Sequence, residues 1–168
     1  SAPGDISSTD ILVASWRRLP FTSASFDLIL APRGVPFRGV ALEAALNAIR
    51  PLLRPGGALF LGVANRRSPV HRASAPSSGI SPRRLKSLLR RAEYVSVEFY
   101  GVMPDLDVPE YIFPLSPYAL SFALRHRYRR RLPPRWSGWF AHPLVAAFFL
   151  PFLPAWYVLA RVPDESEG

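Results

Sequence analysis

The sequence contains no cysteine in its 168 residues, which excludes disulfide bonds and thiolate metal sites. It has only three histidines, His71, His126 and His142, and none has a carboxylate nearby at a spacing typical of metal ligands. The sequence therefore predicts no metal site. Lys86 is the only lysine, and no apolar segment of a secretory signal opens the chain.

Arginine, proline and apolar side chains are plentiful instead. Hydrophobic residues make up 49% of the chain, so a single domain of this length can bury a core. The net charge is +9, and arginine is suited to bidentate contacts with carboxylates and phosphates. Two explanations of the arginine content stay open: an anionic partner, or a GC-rich genome that favours arginine, alanine and proline codons.

Short apolar runs alternate with amphipathic segments along the chain, which is typical of an α/β fold. Ser81 and Pro82 have the residue types of an N-cap and a first helical position. Residues 58–64 are apolar on both faces, as in a parallel sheet that is covered on both sides. The pattern predicts strands at 11–14, 26–30, 58–64, 94–100 and 155–162, and helices at 37–53, 81–91 and 118–131.

Four motifs follow in an order that resembles class I S-adenosylmethionine-dependent methyltransferases. They are LPFTSASFDLIL at 19–30, IRPLLRPGGALFLGV at 49–63, ISPRRLKSLLRRAEYVSVEFYG at 80–101 and AWYVLARVP at 155–163. The resemblance implies an incomplete Rossmann-like methyltransferase sheet with flanking helices and a hydrophobic, proline-rich insertion before the last strand. It also implies that ligands sit at the carboxyl ends of the strands.

Two elements of that family are missing from the sequence: the glycine-rich loop of the G-x-G-x-G kind, and the acidic residue that holds the ribose of the donor. We therefore expect no cofactor and no catalytic residue in this chain. If the donor site is completed elsewhere, the resemblance places Ser15, Trp16 and Asp27 at S-adenosylmethionine. For Asp27, a structural role in binding nearby backbone amides is the favoured alternative.

The whole chain, 1–168, is interpreted as one truncated methyltransferase-like domain. Its predicted parts are a flexible amino terminus at 1–10, an insertion at 102–153 with a basic helix and an apolar segment, and an acidic tail at 164–168. Without the first half of the family's sheet, the strand at 26–30 becomes an edge. Apolar edges are aggregation templates, so we expect an amino-terminal segment, a partner chain or a membrane complex to cover it.

A basic cluster with interleaved aromatic residues is the candidate interaction surface. The uncharged segment 136–160 follows it, and either a membrane span or a peripheral, partner-facing helix explains that order. Three prolines in the segment argue against a span. The candidate interaction residues are Arg125, Arg127, Arg129, Arg130, Arg131, Arg135, Trp136 and Trp139.

The sequence thus favours a non-catalytic, methyltransferase-like accessory or structural subunit. We expect it to dock on a larger, membrane-associated protein complex, for example a photosynthetic or respiratory one, at the cytoplasmic side and peripheral to the membrane. The first alternative is a fragment of an active S-adenosylmethionine-dependent methyltransferase. The second is a basic module that binds a membrane surface or RNA, although no nucleic-acid-binding motif accompanies the arginines.

Overall fold

The computed structural model describes residues 19–32, 40–69, 79–128 and 142–164; the strand predicted at 11–14 lies outside them. The described residues form five strands: β1 (Phe26–Ala31), β2 (Leu53–Ala64), β3 (Ser96–Met103), β4 (Tyr111–Pro114) and β5 (Ala155–Arg161). They also form the helices α1 (Val40–Ile49), α2 (Pro82–Arg91), α3 (Pro117–Tyr128) and α4 (Pro143–Phe149). Short 3-10 turns, Arg50–Leu52 and Leu150–Phe152, follow α1 and α4.

The strands form one mixed sheet in the order β1-β2-β5-β3-β4. β1 and β2 are parallel, and α1 connects them, as in the βαβ unit of Rossmann-like folds. β5 runs antiparallel to both of its neighbours, β2 and β3. An open mixed sheet with flanking helices and a closing antiparallel strand confirms the predicted fold class.

The β3–β4 hairpin differs from the sequence prediction, which places no strand between residues 100 and 155. β3 continues to Met103, and β4 pairs with it antiparallel. The Asp105 carboxylate accepts the backbone N–H groups of Asp107 and Val108 at 2.9 and 2.8 Å, which orders the connecting loop. Strand β4 is only four residues long and ends at Pro114, so its sequence pattern is too short to be distinguished from that of a proline-rich loop.

Helix α2 begins where the sequence predicts it. The Ser81 hydroxyl accepts the N–H of Arg84 at 3.4 Å, and Pro82 follows at the first helical position. Leu85, Leu88 and Leu89 are buried on the face that packs on the sheet. The spacing of these leucines gives α2 an apolar side and a basic, exposed side.

The main core lies on one face of the sheet only. Alternate residues of β2 and β5, such as Leu59, Leu61 and Val158, point to this face and pack against the helices. The opposite face, which we call the second face, has a smaller cluster that includes Phe60 and Tyr157, with ring centroids 4.8 Å apart. Most apolar burial therefore comes from one layer of helices on one side of the sheet.

The second face is open at β1. Leu30 lies beside Phe60 in the sheet and is 62% exposed, and Leu28 is 49% exposed. β1 is also the first strand in the sheet order, so it is an edge of the described sheet, as the sequence predicts. Exposed leucines on an edge strand are unusual unless another segment covers them.

Tyr94 provides a stability prediction, because its hydroxyl is buried without a hydrogen-bond partner among the described residues. The side chain is 2% exposed. Replacing Tyr94 by phenylalanine removes an unpaired polar atom and keeps the ring, so we expect the free energy of unfolding to rise by about 1 kcal/mol or more. Urea denaturation at neutral pH measures this change. An unchanged or lower stability would mean that the hydroxyl is paired in solution.

The same variant should change the response to alkaline pH. Burial raises the pKa of the Tyr94 hydroxyl, and the nearby Arg50 guanidinium offsets this only in part. The unfolded chain ionises this tyrosine above pH about 10, whereas the folded chain resists ionisation, so wild-type stability falls as pH rises past that value. We expect the Tyr94→Phe protein to lose less stability than the wild type over this range.

Candidate functional site

The carboxyl ends of β1 and β2 meet at one edge of the sheet, where ligands bind in folds of this class. β1 ends at Ala31, and the carbonyl oxygen of Pro32 lies directly against Gly62 of β2. A Cβ atom at position 62 would be 2.0 Å from that oxygen. Only glycine permits this contact, and it fixes the direction in which the chain leaves β1.

Asn65, the residue after β2, connects this edge to the segment before β5. Its side chain is 0% exposed, and its Nδ2 donates to the carbonyls of Pro151 and Leu153 at 2.9 and 2.6 Å. Its Oδ1 accepts the N–H of Arg67 at 3.0 Å, and its own N–H donates to the Pro154 carbonyl at 2.9 Å. Asn65 is not among the site residues that the sequence predicts. A lone asparagine directly after a buried strand was the available signal.

Helices α3 and α4 pack against each other and contribute to the main core. Each helix also leaves an apolar row exposed, with its two members one turn apart. In the described residues, no helix has both the length and the apolar character needed to cross a membrane. The exposed members are Tyr118 and Phe122 on α3, and Leu144 and Phe148 on α4.

Asp27 lies near the amino end of β1, at the opposite end of the strand from the Pro32 contact. Arg54 Nη1 donates to both of its carboxylate oxygens, at 2.9 and 3.0 Å. The same guanidinium donates from Nε to the Ala24 carbonyl at 3.2 Å. The carboxylate thus binds an arginine rather than backbone amides, and its role at a donor stays a prediction. Ser15 and Trp16 lie outside the described residues.

The candidate interaction residues are described only in part. Arg125 is exposed on α3, and Arg127 forms an ion pair with Glu110 from the β3–β4 loop. Because Arg127 is paired within the fold, its charge is less available to a partner than that of Arg125. The remaining candidates lie outside the described residues: Arg129, Arg130, Arg131, Arg135, Trp136 and Trp139.

The described residues do not by themselves enclose a pocket at the carboxyl ends of β1 and β2. At the carboxyl edge, the space beside Gly62 is filled by the chain's own Pro32 carbonyl. An open groove of about 430 Å³ lies instead on the outward, basic side of α2. In the same parts of the chain, no three histidine, aspartate or glutamate side chains come close enough to hold a metal ion.

Solved structures share this fold at low sequence identity. The cyclase SpnF aligns with a TM-score of 0.51 and 20% identity, over 92% of this chain and 56% of its own. A methyltransferase of Thermotoga maritima aligns with a TM-score of 0.54 and 14% identity, over 89% of this chain and 62% of its own. A methyltransferase of Archaeoglobus fulgidus aligns with a TM-score of 0.52 and 11% identity, over 84% of this chain and 61% of its own. This chain thus spans only part of each neighbour's length.

These likenesses show a methyltransferase-like, Rossmann-like fold. No protein-family profile and no curated protein sequence matches the chain. The prediction that the chain takes no cofactor is wrong, because the Thermotoga and Archaeoglobus neighbours are named as S-adenosylmethionine-dependent enzymes. The absence of a glycine-rich loop from these residues does not exclude a cofactor, because a donor site can be formed by separate segments.

Proposed function

We propose that this chain is the carboxyl-terminal part of an S-adenosylmethionine-dependent methyltransferase domain. Polypeptide beyond the described residues pairs with β1 and completes the donor site. The observation that carries this proposal is the uncovered state of β1, an edge strand with Leu28 and Leu30 exposed on the second face. In Rossmann-like sheets, further strands continue past this edge, and the ligand lies where the strand order reverses.

The sheet supports the proposal from its other side as well. β2, β5 and β3 each pair with a neighbour on both sides, so the sheet is complete everywhere except at β1 and at the short strand β4. The main core is also complete on the face that carries α1 and α2. A segment that extended the sheet at β1 and also packed on the second face would bury Leu28 and Leu30, which gains about 1.5–3 kcal/mol for each fully buried leucine.

Within this proposal, the described residues position the site and do not hold the donor. The Gly62–Pro32 contact directs the chain where it leaves β1, and the Asn65 side chain fixes residues 151–153 beside the end of β2. Both features lie at the edge of the sheet where the donor is expected. Ser15 and Trp16 precede β1 in the sequence and stay the predicted donor contacts.

The test measures donor retention by the native protein, purified under mild conditions together with the polypeptides that accompany it. Equilibrium dialysis with radiolabelled S-adenosylmethionine is expected to show binding by this preparation. Binding by the 168-residue chain alone is expected to be weaker by at least about a hundredfold, or 2.7 kcal/mol. The variant Leu30→Arg should abolish retention because it places a charge at the β1 edge, whereas Val95→Arg, at a similarly exposed position, should not.

Two results would overturn the proposal. Equal donor binding by the isolated chain would mean that its own residues complete the site. No donor binding by the native preparation would favour the second candidate, an accessory subunit that docks on a larger complex. That candidate is supported by the exposed apolar side chains of α3 and α4, and by the cyclase neighbour, whose name shows that this fold also serves other roles.

A further inference from the structure

The surface of α3 and α4 carries the exposed apolar rows on two helices that pack against each other. Phe122 is 70% exposed and Phe148 is 68% exposed. Each row has i, i+4 spacing, so its two side chains lie on one side of their helix. Single exposed apolar residues are common on protein surfaces, whereas four of them on two packed helices favour a contact site.

Both helices lie in a stretch of sequence that carries positive charge only. The sequence has no aspartate or glutamate from residue 111 to residue 163. Arg125 follows Phe122 by three positions on α3 and is exposed, with no ion-pair partner among the described residues. The same stretch contains seven arginines, of which Arg127 is paired with Glu110 and Arg161 lies on β5: Arg125, Arg127, Arg129, Arg130, Arg131, Arg135 and Arg161.

We propose that α3 and α4 dock the protein on the surface of a bilayer that contains anionic lipids. Such a surface complements both features: its headgroups attract the arginines, and its acyl boundary accepts the apolar rows. A nucleic acid also attracts arginines, but it gives no comparable place to bury Leu144 and Phe148. The two helices have 12 and 7 residues, and they bind in the plane of the surface.

The test is cosedimentation of the full chain with lipid vesicles, without methyl donor, so its outcome does not depend on the proposed function. Vesicles of phosphatidylcholine alone are compared with an equimolar mixture of phosphatidylcholine and phosphatidylglycerol. We expect binding to the mixed vesicles, weakened by added salt, and little binding to phosphatidylcholine. Hydrogen exchange in α3 and α4 should slow on the mixed vesicles, while exchange in α1 stays unchanged.

Variants separate the apolar and the charged contributions. The double variant Phe122→Ser, Phe148→Ser is expected to weaken binding at least about tenfold, because two exposed rings no longer enter the acyl boundary. Arg125→Gln is expected to weaken it about fivefold. Val95→Ser, at a residue that is 60% exposed between α2 and β3, is the matched control and should bind like the wild type. Circular dichroism confirms that each variant is folded.

Several outcomes would overturn the proposal. Failure to bind the mixed vesicles would contradict docking on a bilayer. Equal binding to both kinds of vesicle would mean that anionic lipid is not recognised. If Arg125→Gln weakens vesicle binding and the double phenylalanine variant does not, the apolar rows do not contact the bilayer. If the double variant does not fold, the wild-type protein still tests the proposal. Hydrogen exchange in α3 and α4 that does not change on vesicles would contradict docking through these helices. Tighter binding to single-stranded RNA than to mixed vesicles would identify nucleic acid as the partner.

Discussion

Replacing Gly62 by alanine is expected to lower the free energy of unfolding by more than about 3 kcal/mol. The new Cβ would lie 2.0 Å from the Pro32 carbonyl oxygen and 2.8 Å from its carbonyl carbon. These are backbone atoms at the end of β1, so relief requires the strand end to move. Because β1 is held only by β2 in the described sheet, its carboxyl end should detach.

Gly101→Ala is the matched control, since Gly101 is also a buried strand glycine with close neighbours. Its Cβ would meet side-chain atoms instead, at 2.7 Å from the Phe113 ring and 2.8 Å from a Leu153 methyl. A ring and a methyl group can shift by rotation, so we expect a smaller loss of about 1–2 kcal/mol. Urea denaturation followed by circular dichroism compares the two variants. Equal losses, or a Gly62→Ala protein as stable as the wild type, would contradict the Pro32 contact.

The elements that the sequence predicts well have a clear apolar pattern along the chain. β5 is a mostly buried apolar run, and α2 has a capped start and leucines at helical spacing. β1 is also apolar apart from Asp27, although its leucines are exposed on the second face. The order of four weak motifs added the sheet topology, which no single run could give. The prediction that β1 is an edge then followed from the absence of further motifs.

The features that the sequence does not reveal depend on distant partners. β2 begins at Leu53, five residues before the predicted strand at 58–64, because a bulge lets the chain continue its pairing with β1. The contact between Gly62 and Pro32 involves a backbone carbonyl oxygen, which every residue has. The apolar pattern of the sequence therefore cannot predict it. The open second face likewise appears only when β1 and β2 are placed side by side.

Replacing Asn65 by alanine is expected to destabilise the protein by about 3 kcal/mol or more. The change removes the fully buried Asn65 side chain and its three hydrogen bonds. The Leu153 carbonyl loses its donor in a buried position, and the Pro151 carbonyl and the Arg67 N–H lose their partners in partly buried positions. Asn65→Asp should be at least as damaging, because a carboxylate would face two carbonyl oxygens. Asn47→Ala, at an exposed position of α1, is the control and should change stability little.

Hydrogen exchange gives this prediction a local readout. The Asn65 side chain holds residues 151–153, partners 86 and 88 positions away in sequence, against the end of β2. Loss of the Asn65 side chain should speed hydrogen exchange in α4 and in the turn that follows it. The amides of α1 and α2 should remain protected until global unfolding. Uniform acceleration across the chain would mean that Asn65 supports the whole core. A variant with normal exchange in α4 would show that other contacts are enough to hold residues 151–153 at the edge of the sheet.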